Sequence, residues 1–109
     1  MEIDARREGD ATVIRVSGDV DLDTSPKLRK ALIDAVNKKH SPIVVDLSDV
    51  TYIDSSGVAT LVESLQLSSK YGGTFRLVGL NDHVSEVFKL ARLQRVFMIY
   101  DSVDEALGG

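Results

Sequence analysis

The first pattern in the chain is an alternation of buried-type and polar positions over residues 12–16, where four of the five residues are β-branched. Alternation with β-branched side chains predicts a strand. Residues 2–7 are expected to pair with it as a hairpin, because Glu8-Gly9-Asp10 between them is typical of a turn. A polar stretch over residues 18–24 follows the strand.

The next pattern has helical spacing. Ser25-Pro26 predicts the start of a helix, with the serine as N-cap and the proline in the first turn. The apolar residues that follow are spaced as one face of an amphipathic helix: Leu28, Ala31, Leu32, Ala35 and Val36. Pro42 marks the next boundary.

From residue 43 onward, short apolar runs alternate with helical spacing. Strands are predicted at residues 43–47, 75–78 and 96–100, because short apolar runs suit strands that are covered on both faces. Helices are predicted from three apolar sets: Val58, Leu61, Val62 and Leu65; Val84, Val87, Phe88 and Ala91; and Val103, Ala106 and Leu107. Gly72-Gly73 is expected to end the second helix, and Asp101 or Ser102 to cap the last.

This order of elements predicts an α/β fold. Strands that alternate with helices favour right-handed βαβ units, so we expect a mostly parallel central sheet with an N-terminal hairpin strand and about four helices. The 109 residues show no linker or internal repeat, so we expect residues 1–109 to form a single domain.

Composition narrows the function classes. The chain has no cysteine, which removes disulfides, thiol catalysis and thiolate metal sites. A net charge of −4 disfavours direct contact with nucleic acid, which rewards clustered lysine and arginine. The chain shows no signal-peptide pattern and no apolar run long enough to span a membrane. We therefore expect a cytoplasmic protein with no direct nucleic-acid contact and no membrane insertion.

The segment Asp54-Ser55-Ser56-Gly57 stands between a predicted strand and a predicted helix. A helix start presents free backbone N–H groups and the positive end of the dipole, so a phosphate on a serine there would find donors. Gly57 would leave the first turn bare for close approach by another molecule. Aspartate and serine are also preferred N-caps. The residues alone therefore fit either an ordinary cap or a phosphate acceptor, with Ser55 and Ser56 equivalent.

Three alternate aspartates precede the first helix: Asp19, Asp21 and Asp23. A calcium-binding EF-hand loop counted from Asp19 would need glycine at its sixth position and glutamate at its twelfth. Those positions hold Thr24 and Lys30, so the calcium interpretation fails. A solvated acidic loop beside a helix N-terminus is the alternative.

Enzymatic motifs are not found in the sequence. His40 and His83 are isolated, are interpreted as surface residues and make a poor zinc site. No nucleophile, base and orienting group have a spacing that would assemble a catalytic site. We expect no metal, no cofactor and no enzymatic activity.

Four stretches carry a family resemblance: Gly18-Asp19-Val20-Asp21 with Thr24; Ile43-Val44-Val45-Asp46-Leu47-Ser48; Tyr52-Ile53-Asp54-Ser55-Ser56-Gly57-Val58; and Phe97-Met98-Ile99-Tyr100 with Glu105-Ala106-Leu107. In these stretches the chain resembles the anti-sigma factor antagonists of the STAS domain family, which is named for sulphate transporters and anti-sigma factor antagonists. The resemblance covers nearly the whole chain in order and spacing. Ala59 departs from it, since many relatives have a second glycine there.

The resemblance implies a bacterial regulator of transcription without catalytic activity. Such proteins bind an anti-sigma factor, often itself a serine kinase, and thereby free a sigma factor. The kinase phosphorylates the first serine after the aspartate, here Ser55, the complex dissociates, and a serine phosphatase restores the active form. By the same resemblance, the partner-binding residues are Asp21, Thr24, Asp54, Ser55, Ser56 and Gly57. We expect a monomer or weak dimer.

Two other functions stay open at this point. One is a STAS-domain subunit or regulator of a membrane transport or lipid-trafficking complex, although the intact serine motif favours the antagonist. The other is a receiver domain phosphorylated on aspartate, which needs an acidic pair after its first strand and a lysine after a late strand. Asp19 and Asp21 partly fit, but Asp101 follows the strand predicted at residues 96–100.

Overall fold

The computed structural model describes residues 1–108, which form five strands and four helices. In chain order the elements are β1 (Glu2–Glu8), β2 (Ala11–Val20), α1 (Ser25–Asn37), β3 (Ile43–Ile53), α2 (Ser55–Lys70), β4 (Phe75–Val78), α3 (Asp82–Leu90), β5 (Met98–Tyr100) and α4 (Val103–Gly108). The predicted α/β fold, with its N-terminal hairpin and about four helices, is confirmed.

The five strands form one sheet in the order β1-β2-β3-β4-β5. The strand β1 runs antiparallel to β2 from the pair Glu2 and Ser17 to the pair Glu8 and Ala11, and the other neighbours are parallel. Because β2 to β5 run in one direction, the segments that follow them meet at one edge of the sheet. We call this the carboxyl edge. Each of the four helices begins there.

Strand alternation divides the buried residues between the two faces of the sheet. Ile14, Val45 and Leu77 align across β2, β3 and β4 and belong to the main core with residues of α1, α2 and α3. Val13 and Val44 point to the opposite face, where Ala106 of α4 covers them. Burial on both faces explains why these strands have nearly continuous apolar sequences.

The strands β2 and β3 are longer than their apolar runs predict. They continue to Val20 and Ile53, which pair with each other, through a stretch with two register irregularities. Those irregularities interrupt the alternation, and for this reason a period of two does not reveal the strand extension. The strand β5 is shorter than predicted and starts at Met98. Within residues 1–108, no helix has the length and apolar character needed to cross a membrane.

Candidate functional site

The predicted site residues come from the ends of two neighbouring strands. Val20 and Ile53 are paired at the ends of β2 and β3, and the backbone N–H of Asp54 donates to the carbonyl of Val20 at 3.1 Å. The loop that contains Asp21 and Thr24 therefore lies beside the start of α2 at the carboxyl edge.

Asp54 is the N-cap of α2. Its Oδ1 accepts the backbone N–H of Ser56 at 2.9 Å and of Gly57 at 3.4 Å, and it also accepts the Ser56 hydroxyl at 2.5 Å. The hydroxyl of Ser56 is the main cause of a lowered pKa of Asp54, opposed by burial and reinforced by the N–H groups of Ser56, Gly57 and Leu22. Asp54 is thus an ionised cap of α2, and its backbone N–H also links the helix start to the end of β2.

This cap corrects one expectation from the sequence. The first turn of α2 was predicted to present free N–H groups to a phosphate, but the carboxylate of Asp54 already occupies those of Ser56 and Gly57. A phosphate on Ser55 would therefore compete with Asp54 for donors rather than fill an empty site.

The two serines differ in their surroundings. Ser56 is half-buried, and its hydroxyl is held by Asp54. Ser55 is exposed, and none of the side-chain hydrogen bonds found within residues 1–108 involves it. Of the two serines, Ser55 is therefore the more accessible from solvent.

Gly57 has a role that differs from the predicted one. It is buried, and a Cβ placed on it would lie 2.7 Å from Ile53 Cγ1 and 2.7 Å from Val20 Cγ1. The missing side chain therefore lets α2 approach the ends of β2 and β3 within the fold. The expectation that Gly57 also bares the first turn for a partner is not tested by this packing and stays a prediction.

The loop before α1 is organised around the carboxylate of Asp21. Its Oδ1 accepts the backbone N–H groups of Asp23 and Thr24, each at 3.0 Å. The hydroxyl of Thr24 accepts the N–H of Asp21 at 2.9 Å and lies 2.8 Å from the carbonyl of Asp19. Thr24, rather than the predicted Ser25, is the N-cap residue of α1, and it makes no side-chain cap bond. Asp21 and Thr24 thus act first as the internal frame of the loop.

Charge is distributed unevenly between the two edges of the sheet. Six aspartates lie at the carboxyl edge: Asp19, Asp21, Asp23, Asp54, Asp82 and Asp101. The opposite edge, where the helices end, has the bases Lys38, Lys39, Lys70, Lys89, Arg92 and Arg95. Acids at helix starts and bases at helix ends both complement the helix dipole. Lys27 is a cation at the carboxyl edge, where its ammonium donates to the carbonyl of Met1 at 3.3 Å.

Leu22 is not among the site residues predicted from the sequence. Its side chain is 76% exposed between Asp21 and Asp23. The sequence feature that could have drawn attention to it is a single leucine between two aspartates in a polar stretch. His83, interpreted as a surface residue, is exposed and stacks on Tyr52 with 5.3 Å between ring centres.

His40 corrects another expectation. It was interpreted as a surface residue, but it is half-buried and its Nδ1 lies 2.7 Å from the hydroxyl oxygen of the buried Thr12. Across residues 1–108 no cluster of three or more histidine, aspartate or glutamate side chains is arranged to hold a metal ion.

Comparison with known proteins gives a consistent family relationship. Residues 2–106 match the family model described as the STAS domain. A Thermotoga maritima protein named as a candidate anti-sigma factor antagonist is 32% identical over 99 residues, which cover 90% of this chain and 88% of that protein. An anti-sigma F factor antagonist of Paenibacillus polymyxa is 25% identical over 108 residues, which cover 98% and 92% of the two chains.

A solved structure agrees over nearly the same length. The crystal structure of an anti-sigma factor antagonist from Mycobacterium paratuberculosis superposes with a TM-score of 0.91 at 27% identity, and the match covers 98% of this chain and 91% of that one. The similarity therefore extends over the sheet, the helices and the carboxyl edge.

Proposed function

Because this chain belongs to the STAS domain family, we propose that it is an anti-sigma factor antagonist that binds an anti-sigma factor and so releases a sigma factor. The relatives named for that activity match over most of their own length. The observation that carries the proposal is the exposed hydroxyl of Ser55, held beside a hydrogen-bonded acidic loop. In this proposal residues 1–109 act as one STAS domain in the cytoplasm.

The partner is an anti-sigma factor that is also a serine kinase, and Ser55 is its substrate. A kinase must bring the γ-phosphate of ATP and a catalytic carboxylate to the hydroxyl that it modifies. The exposed hydroxyl of Ser55 permits that approach, whereas the hydroxyl of Ser56 is half-buried and donates to Asp54 at 2.5 Å. Geometry and family resemblance favour the same serine.

Phosphorylation acts at the interface. It adds about −1.5 to −2 charges and three acceptor oxygens to Ser55. Because Ser55 is exposed and Asp54 already holds the N–H groups of Ser56 and Gly57, the added group extends into solvent and the fold is retained. In the complex, however, it would face the nucleotide phosphates and the catalytic carboxylate of the kinase. A loss of about 3 kcal/mol in binding free energy is roughly a hundredfold in affinity.

The protein itself performs no reaction in this scheme. The kinase attaches the phosphate, a serine phosphatase removes it, and the antagonist changes partners between the two states. The site residues Asp21, Thr24, Asp54, Ser56 and Gly57 serve to position the surface on which Ser55 is presented.

The test combines phosphate mapping with binding. The protein is incubated with its cognate anti-sigma kinase and ATP, and the phosphate is located by peptide mass spectrometry. Ser55→Ala is expected to bind constitutively and to take no phosphate. Ser55→Asp is expected to bind poorly with an unchanged circular dichroism spectrum, and the control Ser56→Ala is still phosphorylated. Phosphate on Ser56, or a phosphorylated protein that keeps its partner, would overturn the proposal.

A further inference from the structure

Leu22 occupies an unusual position for an apolar side chain. It is 76% exposed at the carboxyl edge, in a loop whose neighbouring side chains are the carboxylates of Asp21 and Asp23. Single exposed leucines are common on protein surfaces, so exposure alone carries no function. The rigidity of the backbone beneath this leucine, and its connection to the serine site, are what distinguish it.

Backbone hydrogen bonds hold this loop on both sides of Leu22. The N–H groups of Asp23 and Thr24 donate to Asp21 Oδ1 at 3.0 Å. At the base of the loop the carbonyl of Val20 accepts the backbone N–H of Asp54 at 3.1 Å, and Asp54 caps the helix that begins with Ser55. The position of Leu22 relative to Ser55 is therefore set by hydrogen bonds.

A preorganised apolar side chain suits an interface anchor. Binding costs free energy when loops must be ordered, and a loop that is already ordered avoids much of that cost. Burying one leucine side chain in a partner corresponds to about 10- to 100-fold in affinity. Interfaces concentrate their binding energy in a few such anchors, surrounded by polar contacts that exclude water.

We propose that Leu22 is the apolar anchor of the kinase interface and that the anti-sigma kinase receives it in an apolar socket rimmed by lysine or arginine. This inference rests on the proposed function and specifies the chemistry of the partner. The cationic rim follows from the exposed carboxylate of Asp23 and the other aspartates of the carboxyl edge, since carboxylates brought into an interface require cations opposite them. Leu22 is thus a positioning residue that brings Ser55 to the kinase.

Leu90 provides a matched control. It is also 76% exposed, but it ends α3 at the opposite edge of the sheet. The same substitution at either position replaces an equally exposed leucine with a polar side chain. Only the substitution at Leu22 changes the carboxyl edge.

The experiment measures affinity for the cognate anti-sigma kinase by calorimetry, together with steady-state phosphorylation kinetics. Leu22→Asn is expected to weaken binding about 10- to 100-fold and to raise KM by a similar factor with kcat unchanged. Leu22→Met should restore affinity to within about threefold, and Leu90→Asn should bind within about twofold of wild type. All three variants should keep the circular dichroism spectrum of the wild type.

The outcomes separate the anchor from the proposed function. If wild type binds and is phosphorylated while Leu22→Asn does so equally well, the anchor is wrong and the proposed function stands. If wild type neither binds nor is modified, the proposed function itself fails. The rim is tested by ionic strength: the association rate should fall as salt rises, and a salt-independent rate would overturn the cationic rim.

Discussion

Ser56 donates its hydroxyl to the carboxylate of Asp54 at 2.5 Å, so the second serine of the pair belongs to the helix cap. Ser55, its neighbour, lies exposed on the surface. Two residues of one chemical type in adjacent positions thus have different chemistry, and this difference can be measured without a partner protein.

The pKa of Asp54 provides that measurement. The hydroxyl of Ser56 is the first cause of its lowering, so Ser56→Ala should move the pKa of Asp54 upward toward its ordinary value. Ser55→Ala is the matched control and should leave it in place. The pKa of Asp54 in each variant is measured from the NMR chemical shift of its side-chain carboxyl carbon as the pH is lowered. Equal effects of the two variants would contradict the assigned hydrogen bond.

The same carboxylate links folding stability to acid. Because the pKa of Asp54 is lower in the folded state, the ionised cap contributes stability above the unfolded value of about 3.9. That contribution disappears as pH falls through the folded pKa. We expect the urea midpoint of wild type to drop more steeply below about pH 4 than that of Asp54→Asn. Parallel curves for the two proteins would rule out this linkage.

Gly57 provides a test of packing. An added methyl group would lie 2.7 Å from side-chain carbons of both Val20 and Ile53. Overpacking costs about 1–3 kcal/mol, whereas replacing glycine by alanine in a helix returns about 1 kcal/mol. Gly57→Ala should therefore be destabilising on balance, and Gly57→Val more strongly.

Denaturant titration measures both variants of Gly57. Ala59→Val in the same turn is the control, because Ala59 is exposed and only helix propensity changes, by less than about 1 kcal/mol. A stable Gly57→Val that loses only partner binding would contradict this packing role and support the prediction that Gly57 serves the partner.

His40 adds a second pH dependence at the opposite end of the molecule. Burial lowers its pKa, and the nearby cations Arg7 and Lys38 lower it further. The unfolded chain then takes up a proton first, so stability falls as pH drops below about 6.5 until the folded pKa is reached. Histidine NMR titration should show the lowered pKa, and Lys38→Gln should raise it. Titration at or above the ordinary value would show that His40 is not half-buried in solution.

The sequence by itself determined the class of fold and the family. The spacing of apolar residues predicts each of the βα units, because side-chain direction repeats with a period of two in strands and 3.6 in helices. The resemblance to the STAS domain family, confirmed over residues 2–106, came from short motifs whose order survives in the sequence. At the extensions of β2 and β3 the register irregularities interrupt the period of two, and the strand ends predicted from the sequence were wrong there.

Only the tertiary structure decided the roles of individual residues at the site. Ser55 differs from Ser56 because one hydroxyl is held by Asp54 and the other is not. Gly57 is required because Val20 and Ile53 meet beneath it. Val20 lies 37 positions earlier in the sequence and Ile53 only 4. Periodicity describes the direction of a side chain within its own element. The neighbours that it meets are set by strand pairing between distant segments, which exist only in the folded chain.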